Sequence, residues 1–488
     1  MSIAESGRRG LSSLSGLIVG LGAGVAVCAI AIFWIGKSGE RPLPLATLTA
    51  IVAGSAIYLV ICERGAAVKS AAYATAIASA LSVATFGVLT LGADPHLIAW
   101  PRLFWLGFGL PLAAFLMAAL AKASIPNGLP AYSSVFLNGL TIPLVLIGAA
   151  FLTGLAAVFV YAAAWLLKSL NVDILHRVFQ QAWFMLPFLG AAAGLFIAMV
   201  RNLESVLGAL RFAILMCCRI AMPFAAIFSL TLLGILLIDG PAPLLATPSP
   251  ATLALGAAFI GMLLFNGVYQ TGQDQPPPAW LRLSALTTIL TLPILAALAG
   301  SALWIRVEEF GLTPARIAGL MATALAALYS AILIIAAVAE LRGGKRWMPL
   351  LAPMNTMIAV VWSVALLAMA VPLNPWALSA RDQERRLAEE RIDATRFDYG
   401  YLRFSLGRYG EAAFDHLGEL SGHPQANLIQ AGIARARAAP NRFVYDHGPP
   451  SEPMVEKKPE RPAPPGLADL PLFPDEAPPD IAEDQSES

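Results

Sequence analysis

Phe212-Ala-Ile-Leu-Met-Cys-Cys-Arg-Ile-Ala-Met-Pro-Phe-Ala-Ala-Ile-Phe-Ser-Leu-Thr-Leu-Leu-Gly-Ile-Leu-Leu-Ile238 is an unbroken apolar run with a single charge, Arg219. About 20 such residues cross the roughly 30 Å hydrocarbon core of a bilayer as a helix. Inside lipid the backbone must satisfy its own hydrogen bonds, so a helix is the expected structure. Ten further runs of this kind lie at about 14–36, 43–62, 71–92, 103–121, 138–167, 178–200, 251–269, 282–305, 315–339 and 348–371, each bounded by charges or turn residues. The pattern predicts an all-α fold: a polytopic membrane helix bundle of about eleven transmembrane helices.

Composition agrees with that reading. The 488 residues are 58% hydrophobic and 13% charged, with mean hydropathy +0.70. A soluble chain carries about 25% charged residues, so a soluble globular enzyme is excluded. Charge is also unevenly placed. Residues 1–371 hold 19 Lys/Arg and 11 Asp/Glu, whereas residues 372–488 hold 13 and 20. Three parts follow: a transmembrane helical domain over 1–371, a soluble helical extension over 372–439, and a Pro-rich acidic tail over 440–488. Twelve of the last 49 residues are proline, and the stretch after Gly466 has seven acids and no base. Such a segment has little apolar surface to offset its ordering entropy, so disorder is expected there.

The first run follows Arg8 and Arg9 as a signal peptide would, but its apolar stretch exceeds a signal h-region, so it reads as an uncleaved span. Gly16, Gly20 and Gly24 share one face of it, which lets a second helix approach closely. Cys28, Cys62, Cys217 and Cys218 form no ligand-like spacing and read as small buried hydrophobes. The five histidines all fall outside the apolar runs. No metal and no cofactor is implied, and no nucleic-acid partner.

Orientation rests on Lys/Arg in the short loops. Eleven lie on the side of the N-terminus and seven opposite, which favours a cytoplasmic N-terminus and an external C-terminal tail. Arg381, Arg385, Arg386 and Arg391, just beyond the last span, tie the score when counted.

In the extension, Ser379-Ala-Arg-Asp382 has the spacing of a helix start, and opposite charges follow at four-residue intervals: Asp382 with Arg386, Arg385 with Glu389, Arg386 with Glu390. Leu406-Gly-Arg-Tyr409-Gly-Glu-Ala412 matches one tetratricopeptide unit, although about three are needed to bury a core. A small helical hairpin packed on the membrane domain is the simpler expectation, with a third helix from Gln425 to Ala439.

No Walker-type phosphate loop, HExxH or GxSxG occurs. Three groups remain as candidate substrate-binding residues. Arg219 is the only charge well inside a span, where an Arg costs about 2.5–3.5 kcal/mol and tends to be functional. It reads either as a snorkelling or ion-paired structural residue, with Glu204 and Asp239 the nearest acids in sequence, or as an anion site. The second group is the loop Arg306-Val-Glu-Glu-Phe-Gly-Leu-Thr-Pro-Ala-Arg316. Gly311 suits a positive-φ turn, Thr313 a helix N-cap and Pro314 the first helical position. Arg316 then lies where it can pair with Glu308 or Glu309. The third is Asn266, Tyr269 and Gln270 at the end of the eighth run, suited to interhelical hydrogen bonds. Pro143, Pro187, Pro223 and Pro293 interrupt four spans, as in the broken helices of transporters.

The turn Gly311-Leu-Thr313…Arg316, together with Asn374-Pro-Trp-Ala-Leu-Ser379-Ala-Arg-Asp-Gln383, Phe397-Asp398…Tyr401-Leu402 and Leu406-Gly407, resembles the polytopic bacterial inner-membrane proteins catalogued as domain of unknown function 4153. The likeness covers most of residues 1–420. It implies a bacterial cytoplasmic-membrane location and carries no activity or catalytic residue.

Three functions suit these features. One is a transporter or flippase-like protein for an anionic or amphiphilic solute of the cell envelope, with Arg219 as anion partner. A scaffold or accessory subunit of an envelope complex would find a protein partner through the C-terminal tail. A membrane-embedded transferase would hold a lipid-linked substrate at Arg306, Glu308, Glu309 and Arg316. The bilayer itself is a partner in all three.

Overall fold

The computed structural model describes residues 12–35, 42–63, 65–90, 105–126, 128–272, 276–340, 347–420 and 422–447. Among them there are helices and no strand. In chain order they are α1 (Ser13–Ile30, continued by a π-turn over Ala31–Ile35), α2 (Pro42–Ile61), α3 (Ala67–Leu89), α4 (Leu110–Ser124, preceded by a π-turn over Trp105–Gly109), α5 (Tyr132–Ser169), α6 (Ile174–Phe179), α7 (Ala182–Arg201) and α8 (Glu204–Ile238). They continue with α9 (Ala242–Leu245), α10 (Pro250–Tyr269), α11 (Ala279–Phe310), α12 (Pro314–Glu340) and α13 (Leu351–Ala370). The extension holds α14 (Pro375–Ala388), α15 (Tyr399–Ser405), α16 (Arg408–Gly418), α17 (Ala426–Ala438) and α18 (Arg442–His447). Eleven of these are long and apolar enough to cross a membrane: α1 to α5, α7, α8 and α10 to α13. They coincide with the eleven apolar runs, and the chain is an integral membrane protein.

Two apolar cores organise the bundle. The first joins α2, α3, α4, α5 and α7 around Leu81, Val88, Trp105 and Ile142. The second joins α8, α10, α11 and α12 around Phe265, Ile289, Leu292 and Leu333. The last span, α13, contributes Leu366 and Met369 to the first and Ile358 to the second, so it bridges them.

The tightest crossing is between α1 and α7. Gly16, Gly20 and Gly24 are buried, and opposite them lie Gly190 and Gly194 of α7. A Cβ at Gly20 would collide with the Gly190 carbonyl, and one at Gly194 with the Gly16 carbonyl. The backbones therefore touch directly, as small residues allow in lipid, where dispersion contacts and not hydrophobic exclusion hold helices together. Cys28, on the same face, donates to the Ala182 carbonyl at 3.6 Å. Cys28 and Cys62 are buried as expected; Cys217 is exposed on the surface of α8.

One expectation about the spans is corrected. Pro143, Pro187, Pro223 and Pro293 each lie inside an uninterrupted helix, α5, α7, α8 and α11 respectively. Proline removes one backbone donor, but packing by neighbouring helices carries the chain past it, and none of the four marks a broken helix. The fifth span, α5, runs for 38 residues, from six before the apolar run at 138–167 to two after it. Its buried residues Val135, Ile142, Val145 and Ala149 lie in its first half, whereas Phe151, Leu155, Val158, Phe159, Trp165 and Leu166 are more than half exposed.

The extension is continuous with the first core. Trp376, Ala380 and Leu387 of α14 belong to it, together with Phe397, Leu402, Phe414, Ile429 and Ile433. The helix starts five residues earlier than the Ser-x-x-Asp spacing predicts. Asn374 is the cap, its Oδ1 accepting from the amides of Trp376 (3.0 Å) and Ala377 (3.3 Å), with Pro375 at the first position. The extension also ends later than residue 439, because Arg442–His447 forms α18, whose Arg442 pairs with Asp398 at 2.9 Å. The remainder of the Pro-rich acidic tail, 448–488, lies outside the described residues.

Candidate functional site

Alternating spans bring the start of α5, the end of α10 and the start of α13 to one end of the bundle, where α12 also passes. Four polar side chains meet there. Asn266, in the last turn of α10, donates from Nδ2 to the Tyr329 hydroxyl of α12 at 2.6 Å and to its own helix at Met262 O, 2.8 Å. Its Oδ1 accepts from Asn355 Nδ2 of α13 at 2.9 Å, and Asn355 also donates to the Tyr132 hydroxyl of α5 at 3.1 Å. Asn355 is only 7% exposed, and its own Oδ1 has no hydrogen-bond partner among the described residues. A buried acceptor left unpaired costs about 1–3 kcal/mol, so this amide is not fully used by the fold. Tyr269 closes the group. Its hydroxyl donates to Met348 O at 3.2 Å, and its ring lies 5.8 Å from Tyr132 and 5.7 Å from Trp347.

Gln270 follows directly and takes φ +56°, ψ −127°, a backbone region that non-glycine residues adopt at a cost of about 1–3 kcal/mol and that clusters at functional sites. With its amide oxygen turned to the guanidinium, Gln270 accepts from Arg219 Nη2 at 3.0 Å and Nε at 3.2 Å. The geometry thus selects a neutral partner for the intramembrane arginine. Glu204 and Asp239 sit 15 and 20 residues away on the same helix, about 22 and 30 Å along its axis, and Arg219 makes no ion pair among the described residues. Two charge-assisted hydrogen bonds hold the guanidinium in place, and among the described residues no acid pairs with its charge.

Arg219, Asn266, Tyr269 and Gln270 are therefore brought together around the end of α10. The second group of candidates is not brought to them: Arg306, Glu308, Glu309, Thr313 and Arg316 lie at the opposite end of α11, a helix of 32 residues. Nor do its charges converge. Arg306 reaches Pro248 O at 3.4 Å, and Glu308 accepts from Trp304 Nε1 at 2.8 Å. Arg316 forms no pair with Glu308 or Glu309. It folds back to donate to Gly311 O at 2.5 Å, with its guanidinium 5.5 Å from the Phe310 ring. The local turn is as its sequence dictates: Gly311 has φ +76°, and Thr313 Oγ1 caps α12 by accepting from the Arg316 amide at 3.3 Å.

This turn is gripped by the extension. Ser379 Oγ donates to Leu312 O at 2.7 Å, and Asp382 Oδ2 accepts the Leu312 amide at 2.7 Å. Gln383 donates to Phe310 O at 3.2 Å, and Arg386 donates to the carbonyls of Val307, Glu308 and Glu309 at 3.1, 3.0 and 2.9 Å. The last carbonyls of a helix have no partner within it; here the end of α11 takes its donors from α14. For this reason the predicted Asp382–Arg386 pair is absent. Both residues are spent on backbone groups, and Asp382 pairs instead with Arg385 at 3.1 Å. Arg385 and Glu389 do not pair either, Glu389 meeting Arg391 at 2.8 Å. Among the described residues no group of His, Cys, Asp and Glu could hold a metal ion.

Sequence reasoning missed Tyr329 and Asn355, polar residues within apolar runs, and Tyr132, which precedes the fifth run. It also read Ser379 and Asp382 as a helix start when they clamp a turn. No family model, curated protein or solved structure matches the chain.

Proposed function

We propose that the chain is a transporter or flippase-like protein of the bacterial cytoplasmic membrane, moving an anionic or amphiphilic solute of the cell envelope. The observation that carries this reading is the Arg219–Gln270 contact: an intramembrane cation held by a neutral amide keeps its charge available for an anion. The neighbouring Asn355 oxygen, buried and unpartnered, adds an acceptor for a donor group on the same solute. The position of the group supports it as well, because Asn266 and Tyr329 come from helices of the second core, and Tyr132, on a helix of the first, packs against that second core. A solute bound there would touch both halves. The N-terminus is cytoplasmic and the extension external in this proposal, in keeping with the excess of Lys/Arg on the N-terminal side.

The same proposal includes kinship with domain of unknown function 4153. Its support is that the two motifs carrying the resemblance, the Gly311 turn and the Asn374–Gln383 segment, grip each other through Leu312. A transferase at Arg306, Glu308, Glu309 and Arg316 is the weaker reading, since those side chains serve separate partners. The scaffold reading retains one observation in its favour, a five-helix extension fixed rigidly to the bundle.

Native mass spectrometry of the protein extracted in mild detergent tests the proposal. Wild type is expected to retain a stoichiometric anionic or amphiphilic small molecule that Arg219→Leu loses at unchanged membrane abundance. Equal retention by the variant removes the anion site. A retained protein subunit with no small molecule replaces transport by the scaffold role.

A further inference from the structure

A groove of about 630 Å³ lies between the first turns of α11 and the last turns of α12, within the range of about 300–1,000 Å³ that small-molecule sites occupy. Along α11 its wall runs from Ala279 to Leu290, a rise of about 16 Å. Leu286, Leu290, Ile334 and Val338 make that length apolar, and Leu290 and Val338 are exposed on the surface of the bundle. Three polar groups line the same groove at one end. They are Arg282 in the first turn of α11, Glu340 as the last residue of α12, and Trp347 ahead of α13. Among the described residues the Arg282 and Glu340 side chains have no hydrogen bond or ion pair, with each other or with any third group. Trp347 is 7% exposed, its ring fixed 5.9 Å from Phe265 and 5.7 Å from Tyr269, and its indole N–H has no acceptor. A buried donor without a partner is a standing cost to the fold.

The wall thus carries one cation and one acid, and a ligand of a single sign would leave one of them unmatched. The helix ends repeat the pattern, because the start of α11 is the positive end of its dipole and the end of α12 the negative end of its own. We infer that this groove binds a zwitterionic phospholipid whose head group ends in a primary ammonium. The phosphate lies at Arg282, whose planar fork suits two of its oxygens, with the Trp347 indole N–H as a further donor. The ammonium donates to the Glu340 carboxylate, and one acyl chain follows the apolar wall. Asp274, Arg342, Lys345 and Arg346, in the two connections that flank this end, lie outside the described residues. Arg219 lines no part of the groove, so the inference does not depend on the transport reading.

The test adds phosphatidylethanolamine, phosphatidylcholine or phosphatidylglycerol to the full chain in mild detergent. Native mass spectrometry counts the lipid retained, and thermal unfolding is followed in parallel. Wild type is expected to retain one phosphatidylethanolamine more tightly than either of the others, since phosphatidylcholine has no ammonium N–H to donate and phosphatidylglycerol has no cation. Arg282→Gln should bind it about fivefold more weakly, the loss of one cation near a membrane surface. Glu340→Gln should hold phosphatidylethanolamine and phosphatidylcholine equally, a loss of discrimination that a purely structural role would not produce. Both variants should unfold with wild type before lipid is added, because neither side chain has a partner in the fold. Equal retention of the three lipids by wild type, or tighter retention of phosphatidylglycerol, overturns the inference without recourse to any variant. So does an unchanged preference for phosphatidylethanolamine in Glu340→Gln.

Discussion

Asp382 accepts the backbone amide of Leu312 at 2.7 Å, and one turn earlier on the same helix Ser379 donates to the carbonyl of Leu312 at 2.7 Å. Both polar groups of one residue in a tight interhelical turn are thereby satisfied by side chains 70 and 67 residues further along the chain. With Arg386 on three neighbouring carbonyls, α14 acts as the external cap of α11.

Arg386→Ala should be the most damaging single change in the extension. Arg386 is 9% exposed, and its loss strands the Val307, Glu308 and Glu309 carbonyls. Hydrogen bonds to a charged group contribute about 1.5–3 kcal/mol, so a loss in that range is expected, with Arg386→Lys falling between. Thermal unfolding with limited proteolysis of the 389–398 connection reads it; an unchanged protease pattern in the Ala variant would show that the clamp contributes nothing.

Gly20→Leu should separate α1 from α7. The Gly20 Cβ direction is filled by the Gly190 carbonyl, whereas Gly22, two residues away on the open face, meets nothing. Overpacking costs about 1–3 kcal/mol, so Gly20→Leu should lower the melting temperature in detergent and Gly22→Leu should not. Equal effects of the two would refute a glycine-mediated contact.

Asn266 and Asn355 should prove coupled. Each forms hydrogen bonds to the other and to a tyrosine on a third helix. Replacing either by Leu should cost about 0.6–2 kcal/mol, and the double variant less than the sum. Strict additivity in a double-mutant cycle would mean the network does not act as a unit.

Acid should loosen the junction between α14 and α17. The Asp393 carboxylate accepts from the Thr395 hydroxyl, the Thr395 amide and Gln425 Nε2, and Gln425 in turn accepts from the Ala394 amide. The Thr395 hydroxyl, then its amide and Gln425, hold the Asp393 carboxyl well below its usual value, at about 2. A depressed carboxylate contributes stability above its unfolded value of about 3.9 and loses it as pH falls toward the folded value. Wild type should therefore become more protease-sensitive at this loop between about pH 4 and about pH 2, and Asp393→Asn should be sensitive at neutral pH with no such step. A flat wild-type profile would contradict this assignment.

Much of this architecture was legible because length and hydropathy are cumulative signals. Eleven apolar runs of 20 residues cannot be confused with loops, and Gly16, Gly20 and Gly24 declare their face by period alone. Gly311, Thr313 and Pro314 declared their turn because backbone conformation is a local property of residue type. The partners of those features were not legible. Gly190-Ala-Ala-Ala-Gly194 repeats the four-residue spacing of Gly16, Gly20 and Gly24, yet spacing alone does not say which helix it meets, and the meaning of Asn355 and Tyr329 depends on what lies across the bundle. Ser379-x-x-Asp382 misled for the same reason: its spacing fits a cap, and only the distant Leu312 backbone shows that both side chains are spent elsewhere. Arg219 was identifiable as costly, but its amide partner 51 residues later was set by the odd backbone of Gln270, which no periodicity announces.

The length of α5 has a consequence for the lipid around it. At 38 residues it measures about 57 Å, nearly twice the roughly 30 Å hydrocarbon slab, and even a 40° tilt leaves a projected height of about 44 Å. Its second half is greasy to the end, with Phe159, Trp165 and Leu166 all exposed, so burying the surplus in water is unfavourable. Tilt, the headgroup layers that bring a bilayer to about 40–45 Å, and local thickening are the ways to take it up. Thicker membranes should therefore accommodate α5 at the least elastic cost.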